Sequence, residues 1–102
     1  MLSFDDTVIK TIEEVVRNVF EDDETVRVFF QYLKKDDSQI LDEWVQVFES
    51  SLPKIFGKGY IIIEDLILET LYSKYDLDFV WKKDYKFTDY IVDLRMHKGE
   101  KK

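Results

Sequence analysis

The chain has 102 residues, a length typical of one domain, and 22 acidic against 15 basic residues give it a net charge of −7. It has no cysteine and one histidine, which excludes a disulfide framework, a thiolate nucleophile and a multi-histidine metal site within one chain. Apolar runs of about four residues are far shorter than the ~20 that a membrane span needs, and no secretory signal is recognised, so we expect a cytoplasmic protein.

The charges are distributed unevenly along the chain. Residues 1–80 include 18 acidic and 8 basic residues, whereas residues 81–102 include 7 basic and 4 acidic ones. A negative surface repels a phosphate backbone, so direct binding to nucleic acid is not expected. The same surface can instead imitate nucleic acid, which makes the acidic part a candidate for blocking the nucleic-acid site of another protein.

Residues 5–35 are predicted to form a first helix–loop–helix unit. Apolar residues recur at helical spacing in 5–20, and two aspartates at the start of this segment favour a helix N-terminus. The acidic run 21–24 interrupts the pattern, which resumes in 24–35. The segment therefore predicts two helices joined by a short acidic loop.

Residues 39–75 are predicted to form a second unit of the same kind. A helix is expected over 39–56, with Pro53 kinking it or starting a fresh turn. The glycine-rich segment 57–59 stops this helix, and a further helix is expected over 62–75.

The two predicted units align with each other. A shift of 36 positions places six apolar residues of the first helix on six apolar residues of the third. The pattern favours a helix–loop–helix unit used twice, and two such units side by side would leave a groove between them.

Residues 76–98 are predicted to form a β-hairpin, because apolar residues alternate with other residues in two places. These residues are Leu77, Phe79 and Trp81 in the first strand and Tyr90, Val92, Leu94 and Met96 in the second. A helix over 88–98, ended by Gly99, is the alternative interpretation. The expected fold class is thus mainly α with an α+β ending: four helices in two units and a C-terminal hairpin, in a single domain over 1–102.

No arrangement of residues predicts catalysis. His97 lies in a basic tail without a glycine-flanked nucleophile, and no glycine-rich phosphate loop is present. Asp76 and Asp78, with Asp84 nearby, offer fewer oxygen ligands than a hard cation requires, and neither loop has the ligand pattern of an EF-hand. We therefore predict no enzyme, no cofactor and no metal site.

Aromatic residues make up 16% of the chain, more than one small core requires, and such residues often anchor interfaces. Seven of them in the second half form the predicted partner-binding site: Tyr60, Tyr72, Tyr75, Phe79, Trp81, Tyr85 and Tyr90. The main hypothesis is a non-enzymatic protein–protein interaction module that binds a peptide or helix in the groove between the two units.

Two other functions stay open. The second hypothesis is the acidic inhibitor that imitates nucleic-acid charge. The third is a winged-helix DNA binder, although the helix before the hairpin exposes more acidic than basic residues. The lysines of the hairpin can also pair with the acidic helices, within one chain or across a homodimer.

A short, acidic, cysteine-free chain with two like helical units resembles the small orphan proteins of filamentous viruses of hyperthermophilic archaea. The likeness is one of length and composition and covers the whole chain. It implies a viral protein that acts by binding, inside the host cell.

Overall fold

The computed structural model describes residues 3–20, 22–33 and 39–100, in which five α-helices follow one another. They are α1 (Phe4–Val19), α2 (Asp23–Tyr32), α3 (Leu41–Phe56), α4 (Tyr60–Lys74) and α5 (Phe87–Glu100), with a 3₁₀ turn (Gly57–Gly59) between α3 and α4. α1 packs mainly on α4, α3 packs on α5, and α2 contacts α1. The helices of the two predicted units are therefore interleaved, because the first helix of one unit packs on the last helix of the other.

Helices α1 to α4 begin within two residues of their predicted starts, and side chains cap the backbone of the first two. The Ser3 hydroxyl accepts a hydrogen bond from Asp6 N at 3.1 Å at the start of α1. Asp22 does the same for α2, accepting from Glu24 N and Thr25 N at 3.1 and 3.4 Å. The Thr25 hydroxyl also donates a hydrogen bond to Asp22. Together these hydrogen bonds lower the pKa of Asp22, and the one from the Thr25 hydroxyl contributes most. The predicted last residues of the second helix, 34 and 35, lie outside the described residues.

The end of α3 shows why the third and fourth helices are separate. α3 continues through Pro53 to Phe56. Gly57 then adopts a φ of +57°, which glycine tolerates far better than other residues. The 3₁₀ turn that begins there leads directly into α4 at Tyr60.

The predicted β-hairpin over 76–98 is wrong, since the ranges that the structure describes contain no β-strand. Residues 76–86 form an irregular loop with two turns, at Asp76 and Asp84, which have φ values of +59° and +66°. The alternative helix over 88–98 corresponds to α5, which does not end at Gly99 as predicted but runs from Phe87 to Glu100. The physical reason is that the buried residues of this segment recur at positions i, i+3, i+4 and i+7, which is the period of a helix. They are Phe87, Tyr90, Ile91 and Leu94. The alternation that predicted a strand does not match this pattern of burial.

The first turn of α5 is held by carboxylates. Glu49 of α3 accepts hydrogen bonds from both the backbone N and the hydroxyl of Thr88, each at 2.9 Å. Asp89 accepts from Lys86 N at 2.8 Å, which satisfies another donor at the helix start. α5 is thus attached to α3 by polar contacts as well as by its apolar face.

The core is one continuous cluster to which every helix contributes. Its fully buried residues include Val8 and Ile12 of α1, Phe48 and Leu52 of α3, Ile67 and Leu71 of α4, and Ile91 and Leu94 of α5. Phe29 of α2 is also buried in this cluster. At the edge of the α1–α4 contact, Lys74 Nζ donates to the Thr11 hydroxyl at 2.9 Å and forms an ion pair with Glu14 at 3.3 Å.

Replacing Ile91 by alanine should lower the free energy of unfolding by about 2–5 kcal/mol, because the side chain is fully buried in α5. In a hairpin Ile91 would lie on the face opposite Leu94 and Met96. Met96 is 62% exposed, so its replacement by alanine should change the free energy by less than about 0.5 kcal/mol. Urea unfolding followed by circular dichroism measures both variants, and equal effects would contradict the helix.

Candidate functional site

Five of the seven predicted aromatic residues lie together between α4, the loop 76–86 and α5. We call this group the aromatic cluster; its members are Tyr72, Phe79, Trp81, Tyr85 and Tyr90. Neighbouring ring centroids are 5.0 to 5.5 Å apart, mostly edge to face, which is a favourable geometry for aromatic pairs. The cluster therefore packs the loop onto the two helices.

Hydrogen bonds fix the aromatic cluster to the backbone. The Tyr90 hydroxyl accepts from Lys82 N at 2.6 Å and donates to Lys82 O at 3.1 Å. The Tyr72 hydroxyl donates to Tyr90 O at 2.8 Å, and burial raises the pKa of Tyr72 to about 12. Trp81 Nε1 donates to Asp65 Oδ1 at 3.0 Å. The Tyr72 hydroxyl thus joins α4 to α5, and the Tyr90 hydroxyl joins α5 to the loop.

The outer side of the cluster has a charged contact. Lys82 Nζ lies 3.0 Å from Asp93 Oδ2 and 5.1 Å from the centroid of the Tyr85 ring. The hydrogen bond to Asp93 raises the pKa of Lys82. Cavities of about 170 and 430 Å³ adjoin this contact. Charged residues make up most of the lining of the larger one, namely Lys83, Asp84, Asp89 and Asp93, so it does not suit an apolar peptide.

The two remaining predicted residues lie elsewhere. The Tyr75 ring centroid is 5.8 Å from that of Phe4, so Tyr75 packs at the α1–α4 contact. Tyr60 is half-buried at the opposite end of α4 from Tyr72. The structure thus brings five of the predicted site residues together and places the other two outside that group.

A groove does lie between helices of the two predicted units, at α2 and α3. We call it the α2–α3 groove; its volume is about 420 Å³, and it is lined by Thr25, Val28 and Phe29 of α2 and by Ser51, Lys54 and Ile55 of α3. Val28 and Ile55 are 56% and 48% exposed, while Phe29 is buried. None of the seven predicted aromatic residues lines it. The exposure of Val28 could have been predicted from the sequence, because it is an apolar residue outside the apolar stripe of its helix.

A buried carboxylate lies where α3 meets α4. Glu64 is only 8% exposed, and its burial raises its pKa to about 7. The negative charge of Glu49, the residue that caps α5, adds to this shift. Glu64 therefore changes its charge near neutral pH.

No protein family model, curated protein or solved structure matches this chain. The resemblance to small proteins of archaeal viruses stays a prediction. Among the described residues, no three acidic or histidine side chains are grouped as a metal site, and no helix is long and apolar enough to cross a membrane. The winged-helix hypothesis required the hairpin and is not carried further.

Replacing Tyr90 by phenylalanine should lower the free energy of unfolding by about 1–3 kcal/mol, because both backbone groups of Lys82 lose their partner. Tyr85→Phe is the matched control. Its hydroxyl makes one long hydrogen bond of 3.4 Å to Asp93 at an exposed position, so the loss should stay below about 0.5 kcal/mol. Urea unfolding gives both values, and a Tyr90→Phe variant as stable as the control would show that the hydroxyl does not hold the loop.

Glu64 should make the protein less stable as the pH rises. Its pKa is about 7 in the folded chain and 4.5 ordinarily, so the folded state binds the proton more tightly. The stability that comes from this is complete below about pH 4.5 and is lost as the pH rises through about 7. The free energy of unfolding should fall between about pH 4.5 and 8, and we expect Glu64→Gln to reduce this fall by about 1–3 kcal/mol, a range that allows for solvent screening.

Urea unfolding at several pH values between about 4.5 and 8 tests this dependence. Glu43→Gln, an exposed change on α3, is the control and should leave the dependence unchanged. A Glu64→Gln variant with the wild-type dependence would show that another group is responsible.

Proposed function

We propose that this protein is a non-enzymatic interaction module that binds an apolar, helix-forming segment of another protein in the α2–α3 groove. The groove itself carries the proposal: it is open, about 420 Å³ in volume, and exposes Val28 and Ile55 on facing helices. Exposed apolar side chains at the edges of a groove are typical of surfaces that receive an amphipathic helix.

The floor of the groove consists of packed aromatic rings. The ring centroid of Phe29 lies 5.2 to 5.9 Å from those of Phe30, Phe48 and Phe56. A floor held by several ring contacts needs little rearrangement when a ligand binds, which lowers the entropic cost of binding. This supports a preformed site.

Beyond the groove, another exposed apolar residue follows on α3. Val47 is exposed two turns before Ile55, and Ser51 lies between them on the same helix face. The Ser51 hydroxyl donates to Val47 O at 2.8 Å, so it does not need a ligand partner. A helix about 12 Å long would cover this row. Lys54, the charged residue at the groove, favours a ligand with a nearby carboxylate.

The acidic inhibitor is the second candidate. Asp22, Asp23 and Glu24 are consecutive and exposed at the start of α2. Binding that depends on such carboxylates falls steeply as salt rises, because exposed charges are screened. Salt dependence therefore separates the two candidates.

A displayed library of 16-residue peptides with apolar residues at helical spacing would test the groove. We expect binders with micromolar Kd that shift the amide NMR signals of Val28, Phe29 and Ile55. Ile55→Asp should weaken binding at least about tenfold, a loss of about 1.4 kcal/mol. Met96→Asp, an exposed change on α5, is the control and should not weaken it.

The same binders should keep their affinity within about threefold between about 50 and 300 mM salt. Binders whose shifts lie elsewhere, or an Ile55→Asp variant with full affinity, would contradict the proposal. Binding that is lost at high salt and shifts Asp22, Asp23 and Glu24 would support the acidic inhibitor instead.

A further inference from the structure

A pocket lined by two arginines lies between α1 and α2. We call it the α1–α2 pocket; its volume is about 240 Å³, and its residues are Glu13 and Arg17 of α1 and Arg27, Phe30 and Gln31 of α2. It shares no residue with the α2–α3 groove, since the residues that line the two sites lie on opposite faces of α2. The pocket can therefore be tested without disturbing the groove.

The arginines of the pocket differ from the third arginine of the chain in their contacts. Arg95 binds both carboxylate oxygens of Asp42, at 2.7 and 3.4 Å. Arg17 forms no hydrogen bond or ion pair with any residue that the structure describes, and Arg27 has one contact of 3.9 Å with Glu24. Within the described ranges, neither guanidinium group of the pocket therefore has a carboxylate at hydrogen-bond distance, although the net charge of the chain is −7.

Two arginines at one cavity suit a phosphate group. Like charges that line the same small cavity repel each other, and a bound dianion offsets this cost. A guanidinium group forms paired hydrogen bonds with phosphate oxygens, and a phosphate monoester has a charge of about −1.5 to −2 at neutral pH. Because Arg17 and Arg27 come from different helices, they can bind one phosphate from two sides.

The other lining residues suit a planar ring with polar edges. Phe30 is half-buried, and part of its ring lines the pocket, where a nucleic-acid base can stack on it. Gln31 and Glu13 also line the pocket. Glutamine pairs with the edge of adenine, and glutamate accepts a hydrogen bond from the amino group of cytosine. Glu13 would repel a bare anion, so a ligand with both a phosphate and an amino group matches the lining better than phosphate alone.

We propose that the α1–α2 pocket binds a nucleoside monophosphate, with the phosphate between Arg17 and Arg27 and the base on Phe30. The charges around the pocket favour one nucleotide over a nucleic-acid strand. Glu24 lies 3.9 Å from Arg27 and is one of three consecutive exposed acidic residues at the start of α2. A strand would bring further phosphates close to these carboxylates, whereas a single nucleotide has no further phosphate.

Titration of the full chain with cytidine monophosphate, followed by amide NMR at about 50 mM salt, would test the pocket. We expect a Kd of about 0.1–1 mM, with shifts at Arg17, Arg27 and Phe30. Cytidine lacks the phosphate and should bind at least about tenfold more weakly. Inorganic phosphate lacks the base and should bind at least about fivefold more weakly, because it gains no stacking on Phe30.

Arginine variants separate a specific phosphate site from general attraction. Arg17→Gln and Arg27→Gln should each raise the Kd for cytidine monophosphate at least about fivefold. Arg17→Lys should raise it as well, because an ammonium group keeps the charge but loses the paired hydrogen bonds. Lys58→Gln removes one positive charge from an exposed position in the 3₁₀ turn and should leave the Kd within about twofold. All these positions are exposed, and circular dichroism will show that the variants fold.

The edge of the base gives the sharper test. Uridine monophosphate has a carbonyl oxygen where cytidine monophosphate has the amino group, so it offers Glu13 an acceptor in place of a donor. We expect uridine monophosphate to bind at least about threefold more weakly, and Glu13→Gln to remove this difference, since an amide donates as well as accepts.

Absence of binding at about 10 mM cytidine monophosphate overturns the proposal, as do shifts that lie outside the pocket. Inorganic phosphate that binds as tightly as the nucleotide would show a simple anion site and overturn the nucleotide assignment. Wild-type affinity in Arg17→Gln and Arg27→Gln would overturn the position of the phosphate. Ile55→Asp, which weakens peptide binding in the α2–α3 groove, should not change the Kd for the nucleotide, so the two sites are tested separately.

Discussion

Tyr90 joins the C-terminal third of the chain to its core. Its ring is buried and contacts the rings of Phe79, Trp81 and Tyr85, while its hydroxyl holds both backbone groups of Lys82. A loop of eleven residues with no regular structure is ordered in this way against α4 and α5. The position of Trp81 beside α4 depends on the same contacts.

This use of the aromatic residues changes where a partner would bind. Tyr72 and Tyr90 are buried and Phe79 is half-buried, so these rings offer less area to a ligand than their number suggests, while Trp81 and Tyr85 are 49% and 37% exposed. Much of the other exposed apolar area lies on aliphatic residues, at Val28 and Ile55 in the groove and at Ile61 and Ile62 on α4. A chain of this size cannot cover every helix face with its own residues, because its surface is large relative to its volume.

The sequence was sufficient to predict the first four helices, because their apolar residues recur at helical spacing and acidic residues stand at the start of the first two. The cap of α1 is Ser3, which was not predicted. The pattern over 76–98 led to the wrong prediction of a hairpin, because Tyr90, Val92, Leu94 and Met96 alternate with other residues as in a strand. Ile91 lies between them and is fully buried, which fits a helix and not a strand.

The groove was expected between the units, but its lining residues were not predicted. Which helices meet depends on tertiary packing, and no local pattern shows that α1 packs on α4. Val28 was overlooked because it lies outside the apolar stripe of α2. The aromatic residues were predicted as the binding site because of their size, although large aromatic side chains are buried in cores as well as exposed at interfaces.

The alignment of the two predicted units relates the groove to another helix contact of the fold. Under the shift of 36, Ile12 corresponds to Phe48 and Val16 to Leu52, and all four are buried, while Phe20 corresponds to Phe56 and stacks on it at 4.4 Å. If the units are a duplication, α1 corresponds to α3 and α2 to α4, so the close α1–α4 contact has the α2–α3 contact as its counterpart. The α2–α3 groove therefore lies at the counterpart of the most extensive helix contact of the fold, between the first half of α2 and the last part of α3.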